Sequence, residues 1–407
     1  MFNTVKIAIA RNGMIRNMSW GLKGNNYKIE QFNKNAPTGL VNSTKYGISY
    51  RVVNKSAVFS TSSNNTKPKR DTHNTHIFDV SFNQNIIISG ADSKDFLDKI
   101  VTCDNKIMEV GRSRKSLMLN ESGSIIGLGV VNRFQHYYSL IMESENNKKN
   151  VLTDHLYENV GNHDVIISKN TLDYIFLVNG PNSIEIIKQI QRQLNPSTLP
   201  TCSVINNLAF HQNVKFTNQF VPNNTFSVIN TPLGYYFTIN KIIKNNLFSN
   251  LKLEISSDDI YHKKRIEFGI PDYNKDIGLD YNPIEANLHS YFTKSYKYSK
   301  RNPIGTNFIG KEGVFTGYGK FKRFKKTRVM MYSCKKGLIP PPNSNIFLED
   351  KKVGKVSSSV FSDYLNCIVS MGYINLADTF NTRSFSLARE MARKVTINGT
   401  EYFIRFL

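Results

Sequence analysis

The sequence predicts an α+β protein in which antiparallel sheets carry helices on one face, followed by a small C-terminal β-barrel. Three observations predict it. A unit of strand, glycine turn and capped helix occurs twice, which suggests a pseudo-repeat. The last third of the chain breaks into short β-branched and aromatic runs separated by turn residues, the pattern of a small barrel. At 407 residues, 40% hydrophobic and 12% aromatic, the chain also has the material for two or three domains.

From Met1 to Arg70, twelve Lys and Arg residues stand against the single acid Glu30, so half of the +22 formal charge lies here. A basic, acid-poor, Ser/Asn-rich stretch has the composition of an organelle transit segment, and M-F-N-T-V-K-I-A-I-A-R lacks the apolar core of a secretory signal. Residues 1–36 are read as a mitochondrial (matrix) transit segment, with its end open between there and about residue 70. A basic extension without an address is the alternative. Residues 37–300 then form the core, and residues 301–407 a C-terminal linker and barrel.

The first strand–turn–helix unit opens at His76, where I-F-D-V-S-F-N-Q-N-I-I-I-S-G reads as extended structure ending at Gly90. Ala91-Asp92-Ser93 caps a helix with Phe96, Leu97 and Ile100 on one stripe. The second unit is Tyr174 to Val178, a turn at Asn179-Gly180-Pro181, and a helix with Ile184, Ile187, Ile190 and Leu194 on one side. Arg265 and Glu267 share a face only in a strand, and Gly269 with Pro271 ends that element, so Arg265 stands at the lip of a turn. Its forked donors suit a carboxylate, either on an anionic ligand or in an ion pair. Between Lys320 and Arg328, basic residues alternate with aromatics as in nucleic-acid grooves, yet Tyr318, Phe321 and Phe324 recur every three residues, as on a helix face pressed on a core. The barrel strands are read at Arg328–Tyr332, Ile346–Leu348, Gly354–Ser359, Ile368–Ile374 and Tyr402–Ile404.

No apolar run approaches the ~20 residues of a membrane-spanning helix. Cys103, Cys202, Cys334 and Cys367 are far apart and form no C-x-x-C, which argues against a zinc site or a secreted disulfide framework. His73 and His76 lie close together, but no carboxylate or cysteine completes a metal set. The expectation is therefore no metal, no membrane and no nucleic acid. The positive charge outside the first 70 residues would attract an acidic protein or a polyanionic ligand.

Four motifs carry a resemblance. They are Arg265-Ile266-Glu267-Phe268-Gly269; Tyr273-Asn274-Lys275-Asp276-Ile277; Asn282-Pro283-Ile284-Glu285-Ala286-Asn287-Leu288; and Phe308-Ile309-Gly310-Lys311-Glu312. In order and spacing they resemble R-L-E-A-G, Y-G-x-D-I, T-P-x-E-A-x-L and F-I-G-K-E of the glycine cleavage system T-protein, the aminomethyltransferase. I-F-D-V-S-F-N resembles that family's I-F-D-V-S-H-M, and Val178-Asn179-Gly180-Pro181 its L-Q-G-P. The resemblance runs from about His76 to Leu407. It implies a T-protein-like multidomain fold around a central folate site, with a C-terminal barrel.

It also implies the chemistry. The family takes an aminomethyl group from the lipoyl arm of the acidic H-protein and passes it to tetrahydrofolate, giving 5,10-methylenetetrahydrofolate and ammonia. By resemblance the folate-binding residues are Arg265, Tyr273 and Thr231. The catalytic residues stay unknown, because the family's aspartate pair in G-G-I-I-D-D-L falls on Gly127 and Leu128. The pterin glutamate of Y-T-G-E-x-G-x-E has no counterpart in Asn230-Thr231-Pro232-Leu233-Gly234-Tyr235-Tyr236, and the S-H-M histidine and methionine have become Phe82 and Asn83. A positioned acid or base typically contributes about 10²- to 10⁴-fold, so such a site should be slow or inactive unless another residue supplies the acid. Acids placed at both Gly127 and Leu128 are expected to point where the family's do. The readings are thus an aminomethyltransferase, a catalytically degenerate folate-binding protein, or a folate-dependent iron–sulfur cluster assembly factor. The last is disfavoured because F-I-G-K-E-G lacks that family's cysteine.

Overall fold

In the computed structural model the chain divides into two compact units, Asp71–Phe324, and Lys325–Leu407 grouped with Met1–Arg70. The structure describes residues 74–144, 150–194, 212–217, 225–231, 233–292, 307–316, 321–322, 324–335, 337–376 and 394–406. Nearer the N-terminus it describes the backbone of an antiparallel pair, β1 (Thr4–Arg11) with β2 (Met14–Gly21), and of a sheet of β3 (Leu40–Ser43), β4 (Ile48–Val53) and β5 (Ser56–Thr61).

Two five-stranded antiparallel sheets make the larger unit. The first has the order β11-β7-β10-β9-β8, from β7 (Gln84–Ser89), β8 (Ser113–Leu119), β9 (Ile125–Arg133), β10 (Tyr138–Glu143) and β11 (Ile166–Lys169). The second has the order β13-β14-β15-β12-β6, from β6 (His76–Asp79), β12 (Asp173–Asn179), β13 (Asn213–Thr217), β14 (Thr225–Thr231) and β15 (Gly234–Asn240). The pseudo-repeat is real in each sheet. A strand ends at a glycine of positive φ, Gly90 (117°) or Gly180 (132°), and a helix follows: α1 (Ser93–Ile100) or α3 (Ser183–Leu194). A Cβ at either glycine would sit 2.3 Å from Asp164 O or 2.7 Å from Thr75 Cα, so only glycine lets the chain turn there.

Burial follows the periodicity. Phe96, Leu97 and Ile100 of α1 pack with Leu152 and Leu156 of α2 (Val151–Glu158) over one face of the first sheet. On the second sheet Ile187, Ile190 and Leu194 of α3 join Leu247 and Phe248 of α4 (Lys241–Leu251). Each fully buried Leu, Ile or Phe contributes about 1.5–3 kcal/mol by transfer from water, so these stripes hold the helices down. Between the sheets lies a third cluster, with Ile141 from the first and Phe78, Ile175, Leu177 and Ile229 from the second. The run from His76 to Gly90 is thus two strands in different sheets. A turn at Ser81–Asn83 breaks it, with Ser81 N donating to Asp79 Oδ1 at 3.0 Å and Asn83 N to Val80 O at 3.0 Å. Asp92 does not cap α1 through its side chain; its Oδ2 accepts from Asp164 N at 2.8 Å.

Arg265 and Glu267 lie on the last turns of a helix, α5 (Asp258–Glu267), not on a strand. Asp258 and Asp259 in its first turn and Lys264 and Arg265 in its last complement the helix dipole, and that charge order outweighs the two-residue spacing on which the strand expectation rested. No described residue between 315 and 325 is helical: Phe321 forms a bridge with Phe315 and stacks on it at 4.7 Å, while Tyr318 lies outside the described residues.

The smaller unit contains a closed six-stranded barrel, β16-β19-β18-β17-β20-β21: β16 (Lys326–Ser333), β17 (Asn345–Leu348), β18 (Lys351–Ser362), β19 (Cys367–Asn375), β20 (Lys394–Ile397) and β21 (Thr400–Phe406). Val329, Met331, Val356, Ile374 and Tyr402 fill it. Five of the six strands overlap the runs read from the sequence. Lys394–Ile397 completes the closure.

Candidate functional site

The motifs shared with the T-protein family fold as a brace on β8 and β9. Gly310, at φ 81°, opens the short helix α6 (Lys311–Val314), and Gly123 in the β8–β9 turn lies against Gly313 so closely that a Cβ would come 2.8 Å from its Cα. Ala286 and Leu288 of N-P-I-E-A-N-L, Phe308, Tyr273 and Ile277 pack with Leu117, Leu119, Ile125 and Leu128. Tyr273 is buried and its hydroxyl donates to Ile125 O at 2.8 Å. These motifs therefore set the path of the β8–β9 hairpin.

Arg265 is 2% exposed. Its Nη1 donates to Asp276 Oδ2 at 2.5 Å and to Ile270 O at 3.2 Å, its Nε donates to His262 Nδ1 at 3.2 Å, and Asp272 Oδ2 lies 3.6 Å away. Asp272 in turn caps the P-D-Y-N-K-D turn, its Oδ1 accepting from Asn274 N (2.9 Å) and Lys275 N (3.1 Å). In this structure the guanidinium is thus turned onto carboxylates of its own chain. Thr231 is buried at the end of β14, its Oγ1 donating to Gly234 O at 2.9 Å.

One cavity of about 40 Å³ lies between the two sheets, room for roughly two or three water molecules. It is lined by Asn83, Leu128, Gly129, Val130, Ile141, Glu143, Ile229 and Tyr236. Two of these are departures from the family pattern. Leu128 is the second aspartate position, and Asn83 replaces the methionine of S-H-M. Residues that lie far apart in the chain and look like unrelated losses in the sequence line a single space.

Gly127 does not face it. A Cβ there would meet Leu152 Cδ2 at 2.6 Å and Met118 and Met142 at 3.6 Å, inside the cluster beneath α2. Strand alternation puts 127 and 128 on opposite faces, so the expectation that acids at both positions would point into the site holds for 128 alone. Gly129 has a different reason: a Cβ would lie 2.0 Å from Ile141 O on the neighbouring strand.

The sequence reading missed Glu143. It sits at the end of β10, directly opposite Leu128 in the antiparallel register, half-buried and lining the cavity. Tyr273 N donates to its Oε2 at 3.4 Å, and no cation pairs with it among the described residues. Burial pushes the carboxyl up to about 8; Asp272 pushes the same way, against the Tyr273 N–H and Arg265. Asn83, 6% exposed, has a buried Oδ1 with no hydrogen-bond partner among the described residues. The signal for Glu143 was an acid in the otherwise apolar run Y-S-L-I-M-E, readable only once its pairing with β9 is known.

The cavity thus offers acceptors, a carboxyl group and an amide oxygen, which suit a ligand edge carrying N–H donors. Such acceptors fit the amino-pyrimidinone edge of a pterin, while entry of the whole ring requires Leu128 or Tyr236 to turn aside. Among the described residues no three His, Cys, Asp or Glu side chains gather as a metal site, and His76 Nδ1 lies 3.0 Å from Ser256 Oγ.

Residues 36–215 match the GCVT N-terminal domain. The aminomethyltransferase of Caldanaerobacter subterraneus subsp. tengcongensis is 25% identical over 312 residues, 74% of this chain and 76% of its own length. That of Oceanobacillus iheyensis is 23% identical over 337 residues, 81% and 87%. The crystal structure of glycine cleavage system aminomethyltransferase T from Bartonella henselae aligns with a TM-score of 0.63 over 88% of this chain and 93% of its own, at 17% identity, a likeness of fold. The motifs, the domain match over residues 36–215 and the fold agree in making the chain similar to the glycine cleavage T-protein (aminomethyltransferase) family, as a divergent relative would be.

Proposed function

We propose that the protein is an aminomethyltransferase that moves the aminomethyl carbon from lipoylated H-protein to tetrahydrofolate, releasing ammonia and the dihydrolipoyl arm. The observation that carries this reading is the cavity between the sheets. Its lining includes the family's acid position, Leu128, and still holds an acid, Glu143, directly across the strand pair. Folate is a substrate here, and the residues that would hold it are those with acceptors in that cavity. The brace built on Tyr273 and Arg265 keeps β9 and β10 in place. The basic surface favours docking of an acidic H-protein, and such docking should weaken as salt rises, because exposed charges are screened within ~10 Å at 0.1 M. The composition of residues 1–36 supports delivery to the mitochondrial matrix, and a fluorescent fusion of residues 1–70 tests it. We take residues 37–300 as the folate-binding core and 301–407 as the linker and barrel.

A folate-binding protein without turnover is the second reading, favoured by Leu128 standing where the family has a carboxylate. The deciding experiment is formation of methylenetetrahydrofolate from purified aminomethyl-lipoyl H-protein and tetrahydrofolate. Stoichiometric or faster release of product supports the transferase. Folate binding with no product selects the second reading, and absence of both overturns the assignment.

A further inference from the structure

We propose that Glu143 is the carboxylate of this site, carried on β10 in place of the acid lost from β9, and that with Asn83 Oδ1 it receives the N–H donors of the pterin edge of folate. The inference rests on the proposed function and names the residues that recognise its substrate.

Three independent observations converge on it. Register comes first: Glu143 and Leu128 are a directly opposed antiparallel pair, so their side chains leave the sheet on the same face about 4.5–5.5 Å apart at Cβ. A carboxyl group on Glu143 therefore reaches the space that one at 128 would occupy. Second, both acceptors are under-used. Among the described residues Glu143 takes one long hydrogen bond at 3.4 Å, and Asn83 Oδ1 takes none although it is buried and its residue lines the same cavity. Third, the remaining lining residues, apart from Tyr236, offer only aliphatic or backbone surface. A ligand edge presenting parallel N–H groups supplies both missing donors at once, as in a forked pair on a carboxylate.

The groups that face Glu143 set its response to pH. Asp272 and Asp276, from the turn after α5, the half-buried Tyr236 of β15 and the buried Tyr261 of α5 disfavour the anion or are disfavoured by it; Arg265 favours it, but its donors are already directed at Asp276 and Ile270 O. In the free protein the carboxyl holds its proton up to about pH 8. A donor edge binds the carboxylate, so binding releases that proton and affinity rises with pH until the group is ionised.

The test is a titration of the full chain with tetrahydrofolate, kept reduced, followed by calorimetry at pH 7, 8 and 9, for wild type, Glu143→Gln and Asn83→Ala. For wild type the Kd should fall about tenfold between pH 7 and pH 9, the factor set by ionisation of one group near 8. Glu143→Gln should weaken binding at pH 9 by roughly ten- to a hundredfold and abolish the slope, because a charged hydrogen bond is replaced by an amide that presents its own N–H. Asn83→Ala should weaken binding while keeping the slope. Wild-type binding with a flat pH profile overturns the inference without any variant, and so does a Glu143→Gln protein that binds like wild type. Wild-type protein that binds no folate at any pH overturns the proposed function, and this inference with it.

Discussion

Arg265 and Glu143 are both ionisable side chains withdrawn from bulk water in the same unit, and their surroundings differ in kind. Arg265 belongs to a motif shared with the T-protein family and has Asp276, Asp272, His262 and a backbone carbonyl around it. Glu143 belongs to no motif, has one long hydrogen bond among the described residues and looks onto open space. The matched residue is a compensated charge that holds a turn together, whereas the unmatched one is an uncompensated acid. Retained sequence therefore maps here onto the brace, and the chemistry-bearing group lies where the sequence has departed.

Removing Arg265 should break the comparison most severely. Arg265→Ala takes the guanidinium away from the fully buried Asp276, and breaking a buried pair costs about 3–5 kcal/mol. Urea unfolding should show that loss. A loss below 1 kcal/mol would mean that the pair is not what holds the P-D-Y-N-K-D turn.

Two substitutions on β9 sharpen the contrast between its faces. Gly127→Asp drives a carboxylate against Leu152 in an apolar cluster and should cost roughly 2–4 kcal/mol from overpacking and desolvation. Leu128→Asp faces the cavity and should cost less, while raising the Glu143 carboxyl further through like-charge repulsion. Equal destabilisation by the two would contradict the alternation of faces.

A smaller effect separates the two charges by pH. Glu143 is raised from 4.5 to about 8 in the folded protein, so the folded state holds its proton where the unfolded chain has lost it. Stability from this group is full below pH 4.5 and is lost as pH rises towards 8. Because the residue is only half-buried, we expect roughly 1–2 kcal/mol in all, well below the ~5 kcal/mol that a fully sequestered group would give over that interval at ~1.4 kcal/mol per pH unit. Glu143→Gln should flatten thermal stability across pH 5–8, and an unchanged pH profile would show that the carboxyl titrates normally. The smallest effect belongs to Lys335, whose 2.8 Å ion pair with Glu401 is exposed. Lys335→Ala should move stability by no more than about 0.5 kcal/mol, which sets the scale against which Arg265 is judged.

What the sequence by itself determined were features with a local or periodic cause. The stripes of α1 and α3, the glycine turns at Gly90 and Gly180 and the barrel strands from Arg328 onward follow from period and turn chemistry, each acting within a dozen residues. The family motifs were legible for the same reason: they are contiguous, and their Gly, Pro and Asn residues mark backbone paths. Where a two-residue spacing competed with end-charge placement, as at Arg265 and Glu267, the short pattern misled. Tertiary structure alone decided the direction of side chains that only pairing can orient. Gly127 and Leu128 are neighbours in sequence but face different clusters, and Glu143, fifteen residues beyond Leu128, comes to lie opposite it. Strand register is set by the hydrophobic face of the whole sheet and by the turn that joins the strands, and a shift of one residue would have sent Glu143 to the other face.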